Sequence, residues 1–301
     1  MTTHPAAKIG LLGIGKIGLP IAGNLLANNT QVIGYRRTHS DEFVKLGGQA
    51  ANSCAEVVEN AQVVLECLPS EEALVATFEG HNGVIERLRP GHIIVTLGTY
   101  PINVKQRLAD LTSAKGAVLL DGEISGTPAV VAQRRSVVFL SGEEAACREC
   151  EPVIRGFTDN YFYLGEFGNA SKMKLIANHL VAVNNLAAAE AMLLGVRAGL
   201  DPNVIVQVIS QSVGGSAMFS IRAPLMAERR FLPAPGPVDT LKKYLSLIET
   251  LAETTATATP LMDRACEYYR KALDEGRGEE DIAVMFEILE RSERAPVKTK
   301  A

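Results

Sequence analysis

A glycine-rich loop near the N-terminus constrains the fold of this chain more than any other feature. The loop follows an apolar run at residues 8–13 and precedes an amphipathic helical pattern. It consists of Gly13, Ile14, Gly15, Lys16, Ile17 and Gly18. Glycines at this spacing permit a tight turn and let the backbone approach a pyrophosphate at the N-terminus of the next helix. The order of strand, loop, helix and second strand predicts a dinucleotide-binding βαβ unit.

Short β-branched runs alternate with helical patterns over the first half of the chain. The predicted strands are residues 8–13, 31–35, 63–67, 92–97, 117–121, 137–141 and 161–164. The helical patterns between them include residues 17–28, 70–78 and 103–113. Several strands are continuously apolar, as expected for strands buried on both faces. The pattern predicts an α/β Rossmann-type fold with a doubly wound parallel sheet.

After Gly165 the alternation stops and only helical patterns remain. They cover residues 168–199, 202–212, 239–257, 260–274 and 279–291. A chain of 301 residues is about twice the typical domain size, so two domains are expected. We predict a Rossmann domain at 1–165 and an all-helical substrate and dimerisation domain at 166–292. Residues 293–301 lack an apolar period and are predicted to be a disordered tail.

Charge and composition narrow the classes of partner. The 30 basic and 34 acidic residues give a net charge of −4, which argues against nucleic acid or an anionic membrane as the main partner. The N-terminus lacks the basic and apolar regions of a signal peptide. The most apolar helical stretch carries Asn184, Asn185 and Glu190, which a membrane span rarely tolerates. We therefore expect a soluble, cytoplasmic protein that acts on a small molecule.

The five cysteines do not suggest a metal site. They are scattered, and the one CxxC, Cys147 and Cys150, lies in a helical pattern without a second CxxC or paired histidines. We therefore predict no bound metal.

The end of the second predicted strand indicates which dinucleotide is preferred. An NAD site usually has an acidic residue there, which holds the ribose hydroxyls. This chain has Arg36, Arg37 and Thr38 instead. Two guanidinium groups and a hydroxyl can bind a 2′-phosphate, whereas a carboxylate would repel it. We expect NADP(H) to be preferred over NAD(H); the alternative is a solvated basic turn.

Lys174 lies where a glycine-rich turn passes into the long predicted helix. Asn178 is four residues further on, so both side chains lie on one helix face. The first turn of a helix disfavours a cation, because the helix dipole is positive there. This misfit favours a functional lysine, a general acid in reduction and a general base in oxidation, over a surface lysine.

Together these motifs resemble the β-hydroxyacid dehydrogenase family over residues 8–291. The glycine loop is similar to its first motif, and Arg37-Thr38 to its Asn-Arg-Thr turn. The family's catalytic motif is matched by Gly165, Gly168, Lys174 and Asn178, with Ala170 in place of its third glycine. The resemblance implies the two-domain fold, an NAD(P) cofactor and catalytic roles for the last two of those residues.

Two loops and a lysine also resemble the family's cofactor contacts. The loops that line the nicotinamide in the family correspond to Cys67, Leu68 and Pro69 and to the segment around Thr99. The family has a serine directly before that threonine, and this chain has Gly98. Lys243 resembles the family's lysine that approaches the cofactor, although Tyr244 replaces the aspartate that follows it.

The substrate loop departs from the family. Asp-Ala-Pro-Val-Ser-Gly-Gly becomes residues 121–127 here, which keep Ser125 and Gly126, the residues that hold the substrate carboxylate in the family. Glu123 adds a negative charge to this substrate-binding loop, and Thr127 narrows it. Either Glu123 points outward or pairs with Arg134 or Arg135, or the substrate carries a neutral or cationic group.

Three functions remain open from the sequence. The first is an NADP(H)-dependent oxidoreductase for a small β-hydroxy acid or semialdehyde-type carbonyl. The second is an imine reductase that acts on C=N, and the third is a non-catalytic NADP-binding sensor or interaction module. The long helix has more apolar surface than a small helical domain covers, for example at residues 187–189 and 193–194, so we expect a homodimer.

Overall fold

The computed structural model describes residues 8–292 and divides into two compact units. The boundary between the units falls between Lys174 and Leu175, within a long helix. The first unit contains the sheet, and the second is helical. This confirms the predicted fold class, a Rossmann-type α/β sheet followed by an all-α part. The exact domain limits remain a prediction, and the proposed tail at 293–301 lies outside the described residues.

The first unit is built on an eight-stranded sheet in the order β3-β2-β1-β4-β5-β6-β7-β8. Its strands are β1 Ile9–Leu12, β2 Val32–Tyr35, β3 Gln49–Ala50, β4 Val63–Glu66, β5 Ile93–Thr96, β6 Val118–Ser125, β7 Val137–Ser141 and β8 Asn160–Tyr163. The helices that follow or separate them are α1 Gly18–Ala27, α2 Asp41–Lys45, α3 Cys54–Asn60, α4 Glu71–Glu79, α5 Val84–Arg87, α6 Ile102–Ser113, α7 Pro128–Ala132 and α8 Glu144–Phe157.

The central strands are apolar throughout because both faces of the sheet are covered. Leu11 packs into one apolar cluster, and its neighbour Leu12 packs into another on the opposite face. Leu65 and Val64 divide between the two clusters in the same way. Successive side chains of a strand point to opposite faces, so both must be apolar when helices cover both sides. The continuous apolar runs in the sequence have this origin.

The sheet differs from the predicted one at its edges. The short strand β3 was not predicted, because its two residues are exposed and carry no apolar pattern. Strand β7 is antiparallel to β6, whereas the sequence predicted parallel strands. The connection between them contains only the five-residue helix α7, which is too short for a parallel crossover. Strand β6 extends to Ser125, four residues beyond its predicted end, because β7 pairs with that extension.

The second unit is formed by the C-terminal helices around one apolar core. Its helices are the later part of α9 Asn169–Arg197, then α10 Pro202–Ile209, α11 Ala217–Ala227, α12 Val238–Thr254, α13 Pro260–Asp274 and α14 Met285–Glu290, with a 3₁₀ turn at Ile282–Val284. Helix α11 was not predicted. It contains Pro224, which interrupts a helical pattern in the sequence but is accommodated in the fold.

Within the described residues, helix α9 is long and apolar enough to cross a membrane, judged by length and composition alone. Its residue Asn185, however, is hydrogen-bonded inside the helical unit. The fully buried Asn185 amide donates to Tyr269 Oη at 2.9 Å and to the Ile282 carbonyl at 2.8 Å. Such contacts are typical of the core helix of a folded domain.

Candidate active site

The three glycines of the first loop serve different purposes. Gly13 has φ +95°, and a Cβ there would lie 2.5 Å from the Cys67 carbonyl oxygen. A Cβ on Gly18 would lie 1.9 Å from the Gly13 carbonyl oxygen. Packing within the protein therefore requires both glycines. A Cβ on Gly15 would meet nothing within 4 Å, so the space beside this residue is open. No contact with the described residues requires glycine at this position, and the open space fits the close approach of a ligand.

The N-terminus of α1 is suited to bind an anion. Its first turn contains no acidic residue, and Ile17 at the N-cap provides no side-chain hydrogen bond to the backbone N–H groups. Within the loop, Ile14 is buried in the core, Lys16 is exposed and Ile17 is half-buried. With the open space at Gly15, these features fit the pyrophosphate of a dinucleotide, which Gly13–Gly18 would hold.

Arg36, Arg37 and Thr38 directly follow β2 and are all exposed. A cavity of about 300 Å³ lies beside them, and its wall contains Arg36. The cavity is lined by Ile14, Leu19, Arg36, His39, Ser40, Asp41, Glu42 and Phe43. Its wall thus holds charges of both signs, so the cavity alone does not discriminate between the two dinucleotides.

The loops after β4 and β5 are joined by a buried acid that the sequence analysis missed. Glu66 ends β4 and is fully buried; its Oε1 accepts hydrogen bonds from the Tyr100 hydroxyl at 2.6 Å and from the Leu68 N–H. Burial raises the pKa of Glu66 to about 7, against the opposing effect of these hydrogen bonds. The sequence contains a signal for this acid, because a charged residue ends a strand that is otherwise apolar on both faces.

Tyr100 explains the absence of the family's serine at position 98. A Cβ on Gly98 would lie 2.2 Å from the Tyr100 hydroxyl oxygen, so the tyrosine fills the space of a side chain there. The same hydroxyl lies 2.8 Å from the Leu68 carbonyl oxygen. Tyr100 therefore links the two loops that resemble the nicotinamide loops of the family.

Lys174 is bound to an edge of strand β6 that has no neighbouring strand. The pairing between β5 and β6 ends at Thr96 and Asp121, whereas β6 continues to Ser125 with β7 alone. Alternate carbonyls of a strand point to the same edge, and three of them accept side-chain donors. The bonds are Thr96 Oγ1 to Leu120 O at 3.1 Å, Lys105 Nζ to Gly122 O at 3.0 Å and Lys174 Nζ to Ile124 O at 2.9 Å. Beyond Asp121, where β5 no longer pairs with β6, the side chains of Lys105 and Lys174 thus replace the missing strand.

Glu123 points inward and pairs with Lys105. The Lys105 ammonium lies 2.8 Å from Asp121 Oδ1 and 2.9 Å from Glu123 Oε1, and all three side chains are fully buried. The expected outward orientation of Glu123, or a pair with Arg134 or Arg135, is therefore wrong. Residues 121 and 123 share one face of β6, which turns both carboxylates towards Lys105 on α6. Arg134 instead pairs with Asp159 at 2.8 Å.

The pKa values within this cluster reflect burial and ion pairing. Burial favours the neutral amine of Lys105, but the two carboxylates outweigh it and raise its pKa. Burial also opposes the ionisation of Asp121, yet Lys105 and hydrogen bonds from Ser171 lower its pKa overall. Burial raises the pKa of Glu123, and Lys105 only partly offsets this effect.

The two carboxylates also bind the start of the lysine-bearing helix. Ser171, in the first turn of α9, donates its backbone N–H to Asp121 Oδ2 at 2.9 Å. Its hydroxyl lies 2.6 Å from Asp121 Oδ1 and 3.3 Å from Glu123 Oε1. On the other side, Thr99 Oγ1 donates to Glu123 Oε2 at 2.5 Å. Neither Lys105 nor Ser171 was identified from the sequence.

The catalytic motif of the family adopts the expected local geometry. Gly165 and Gly168 have φ of +78° and +90°, so the turn before α9 uses conformations that favour glycine. Lys174 is 6% exposed, and Asn178 lies one helical turn further along α9. Asn178 is 8% exposed, and its Nδ2 has no hydrogen-bond partner within the described part of the chain. This amide can donate to a ligand.

The remaining predicted site residues lie in two places. Ser125 ends β6 one residue after the carbonyl that binds Lys174; Gly126 is exposed, and Thr127 is half-buried at the N-cap of α7. Lys243 lies on α12 in the helical unit, with its Nζ 5.7 Å from the centroid of the Tyr244 ring.

The described residues contain no group of three or more His, Cys, Asp or Glu side chains that could hold a metal ion. Cys147 and Cys150 are buried in α8, and burial raises the pKa of each thiol to about 12.

Comparisons with known proteins cover both units. Residues 8–165 match the family model described as the NAD binding domain of 6-phosphogluconate dehydrogenase. Residues 168–289 match the NAD-binding model of NADP-dependent 3-hydroxyisobutyrate dehydrogenase. The chloroplastic glyoxylate/succinic semialdehyde reductase 2 of Arabidopsis thaliana is 30% identical over 284 residues, 94% of this chain and 79% of that protein.

Solved structures agree with these matches. A 3-hydroxyisobutyrate dehydrogenase from Salmonella typhimurium is 26% identical, with a TM-score of 0.84. The match covers 94% of this chain and 99% of the chain of that protein. An imine reductase from Myxococcus stipitatus is 18% identical, with a TM-score of 0.62. The match covers 95% of this chain and 100% of the chain of that protein. The second similarity is one of fold.

Proposed function

Because the chain belongs to the β-hydroxyacid dehydrogenase family of NAD(P)-dependent oxidoreductases that act on CH–OH groups, we propose a specific reaction for it. The enzyme interconverts a small β-hydroxy acid and the corresponding semialdehyde-type carbonyl, with Lys174 as general acid/base and NADP(H) as preferred cofactor. The observation that carries the proposal is the contact of the nearly buried Lys174 ammonium with the Ile124 carbonyl, next to Ser125.

Each group in the proposed site has its own role in the reaction. A bound nicotinamide supplies the hydride in reduction and accepts it in oxidation. Lys174 donates a proton from Nζ to the substrate carbonyl oxygen during reduction, and in oxidation it takes the hydroxyl proton back. Ser125 and Gly126 bind the substrate carboxylate, and the unpaired Asn178 amide orients the reacting oxygen.

The contacts of Glu123 support an acidic substrate over a cationic one. Its carboxylate is fully buried and both its oxygens accept hydrogen bonds within the protein, so it does not face a substrate. The loop then presents the Ser125 hydroxyl, the exposed Gly126 and Thr127 to a ligand, and these groups suit a carboxylate. Thr127 in place of the family's second glycine favours a small substrate.

The preference for NADP(H) is supported by the two exposed guanidinium groups after β2. The test is the double substitution Arg36→Ala with Arg37→Ala, followed by kcat/KM with each cofactor. We expect kcat/KM with NADPH to fall by about tenfold or more, and kcat/KM with NADH to change little. An equal loss with both cofactors would show that these arginines do not read the 2′-phosphate.

The experiment that tests the activity is a substrate panel with wild-type enzyme, Lys174→Met and the matched control Lys172→Met. Lys172 is exposed on the same helix, so its loss should leave turnover nearly unchanged. We expect oxidation of a small 3-hydroxy acid or reduction of a semialdehyde, with a loss of about 10²–10⁴-fold in Lys174→Met. Unchanged turnover in Lys174→Met would refute the role of the lysine.

The panel also separates the alternative functions. Turnover of a cyclic imine alone would favour the imine reductase, which so far shares only the fold. Binding of NADPH without turnover of any substrate would favour a sensor or interaction module. Neither alternative is favoured by a contact in this structure.

We further propose a homodimer. Helix α9 carries exposed apolar side chains at Met173, Ile176 and Leu180, which follow each other at helical spacing, and a further one at Leu194. A monomer at micromolar concentration by light scattering would contradict this proposal.

A further inference from the structure

We propose that Glu123 is a positioning residue that connects the Thr99 loop to the first turn of the helix bearing Lys174. It would hold the proton-transferring lysine in a fixed place relative to the cofactor side of the site. The inference rests on the proposed function, because it assigns that lysine its role. It differs from a role as substrate ligand, since Glu123 is fully buried and both its oxygens accept hydrogen bonds within the protein.

The two oxygens of Glu123 contact two different parts of the first unit. Oε2 accepts from Thr99 Oγ1 at 2.5 Å, in the loop after β5. Oε1 lies 3.3 Å from Ser171 Oγ, in the first turn of α9, and shares the single proton of that hydroxyl with Asp121 Oδ1 at 2.6 Å. Ser171 precedes Lys174 by three residues, so both lie on one side of the helix. The carboxylate therefore links the threonine loop to the segment that sets the position of Lys174.

The main chain of β6 provides a second link. The carbonyl that accepts the Lys174 ammonium belongs to Ile124, the residue directly after Glu123. Lys105 binds Gly122 O on the same edge as well as the Glu123 carboxylate. The ion pair therefore fixes the strand on the N-terminal side of the carbonyl that Lys174 uses.

The charge balance argues that Glu123 is present for function. Lys105 already has Asp121 as a counter-ion at 2.8 Å, so a second buried carboxylate is not needed for neutrality. Burying an additional carboxylate costs free energy, and burial accordingly raises the pKa of Glu123. A costly buried charge beside a catalytic group is typical of functional sites. Its contacts with Thr99 and Ser171 supply the function.

The test compares Glu123→Gln with Glu143→Gln, a control at an exposed acid of the same unit. Glutamine keeps the size of the side chain but removes the charge, so its contact with Lys105 and the reversed contact with the Thr99 hydroxyl are both weaker than those of the carboxylate. The Lys105–Asp121 pair remains, and the variant should fold. Thr99→Val is a second variant, since it removes one contact and leaves the ion pair intact.

The first readout does not depend on turnover. The protein without cofactor is treated with trace acetic anhydride, and mass spectrometry gives the labelling rate of Lys174 relative to the exposed Lys172. In Glu123→Gln we expect this ratio to rise about tenfold, because the lysine loses local protection. In Glu143→Gln it should stay at the wild-type value.

The second readout is kinetic. In both Glu123→Gln and Thr99→Val, we expect kcat to fall about 10–100-fold through misplacement of the reacting groups. In Glu123→Gln, KM for the cofactor should stay within a factor of about three, because Glu123 is not among the residues expected to contact the cofactor. The isotope effect on kcat with 4-deuterated NADPH should rise towards its intrinsic value, since hydride transfer becomes slower than product release.

Each contrary result overturns the proposal in a recognisable way. Unchanged labelling of Lys174 would show that Glu123 does not position it. A fall in kcat with an unchanged isotope effect and a smaller folded fraction would indicate a purely structural role. A large rise in the cofactor KM alone would make Glu123 a cofactor determinant. If the wild-type enzyme turned over no substrate, the proposed function would fail, and the labelling comparison would still decide this proposal.

Discussion

Replacing Lys105 by methionine removes the ammonium that two fully buried carboxylates share. Asp121 and Glu123 lie 2.8 and 2.9 Å from Lys105 Nζ, and all three side chains are inaccessible to solvent. Methionine is similar in length and apolar, so it fills most of the space without providing a charge. The substitution therefore tests the ion cluster and leaves the packing around it largely intact.

The expected loss follows from the cost of an unpaired buried charge. Removing one partner of a buried ion pair costs about 3–5 kcal/mol of unfolding free energy, and we expect this range for Lys105→Met at pH 8. The loss should shrink as the pH falls towards 5. Without the ammonium, the folded-state pKa values of Asp121 and Glu123 rise above their unfolded values. Protonation then relieves the buried charge, so the cost is present at high pH and disappears at low pH.

The assay is urea denaturation followed by far-UV circular dichroism at pH 5 and pH 8. Hydrogen exchange of peptides from β6 assigns the change to the first unit. Lys115→Met serves as the control, because Lys115 is exposed just beyond the end of α6 and should change stability by less than about 0.5 kcal/mol. Adding Glu123→Gln to Lys105→Met should restore part of the loss, since one uncompensated charge is removed.

Two results would refute this reasoning. A loss below about 1 kcal/mol at pH 8 would show that the buried carboxylates do not depend on Lys105. A large loss that is equal at both pH values would show that packing, and not charge, is responsible.

The glycine loop, Glu66 and Gly98 give three further predictions. Gly15→Val should leave the melting temperature unchanged and weaken NADPH binding, measured by calorimetry, about 100-fold. Gly18→Ala should lower the free energy of unfolding by about 1–3 kcal/mol through overpacking. Equal effects of the two substitutions on stability would contradict the open space at Gly15. Burial raises the pKa of Glu66 to about 7. Between pH 4.5 and 8, the unfolding free energy of the wild type should therefore fall by about 3 kcal/mol relative to that of Glu66→Gln. Parallel stability curves for the two proteins would rule this out. Gly98→Ser should lower the unfolding free energy, measured by urea denaturation, by about 1–3 kcal/mol, and by less when Tyr100 is replaced by alanine. Additive losses would mean that the serine does not contact the tyrosine hydroxyl.

The central strands and several helices were predictable because their burial leaves a direct pattern in the sequence. Strand β7, Val137–Ser141, and helix α13, Pro260–Asp274, have the predicted limits. The first is a short run that begins with two β-branched valines and continues with Phe and Leu, and the second begins with a proline at a position that tolerates it. The family and the enzyme class were predicted from the motifs of the glycine loop and of Lys174, and the matched family models and relatives confirm both.

The direction of β7 could not be predicted, because an apolar run has the same composition in either direction. The contacts around Glu123 were missed for a related reason. The predicted strand ended at Asp121, and only its extension to Ser125 places residue 123 on the same face as Asp121. Lys105 is far from both in sequence, and its pairing depends on how α6 packs on the sheet. Local patterns located Lys174, but the contacts that hold it depend on tertiary structure.

The extension of β6 beyond β5 has a consequence for the evolution and engineering of this enzyme. Lys174 is held by the main-chain oxygen of Ile124, and every amino acid carries such an oxygen. Substitutions at Ile124, Ser125 or Thr127 can therefore reshape the substrate loop without removing the acceptor of the lysine ammonium. In the proposed function, substrate selection and proton transfer are therefore separable within one strand, and we expect a library restricted to these side chains to yield enzymes with new substrates and unchanged acid/base chemistry.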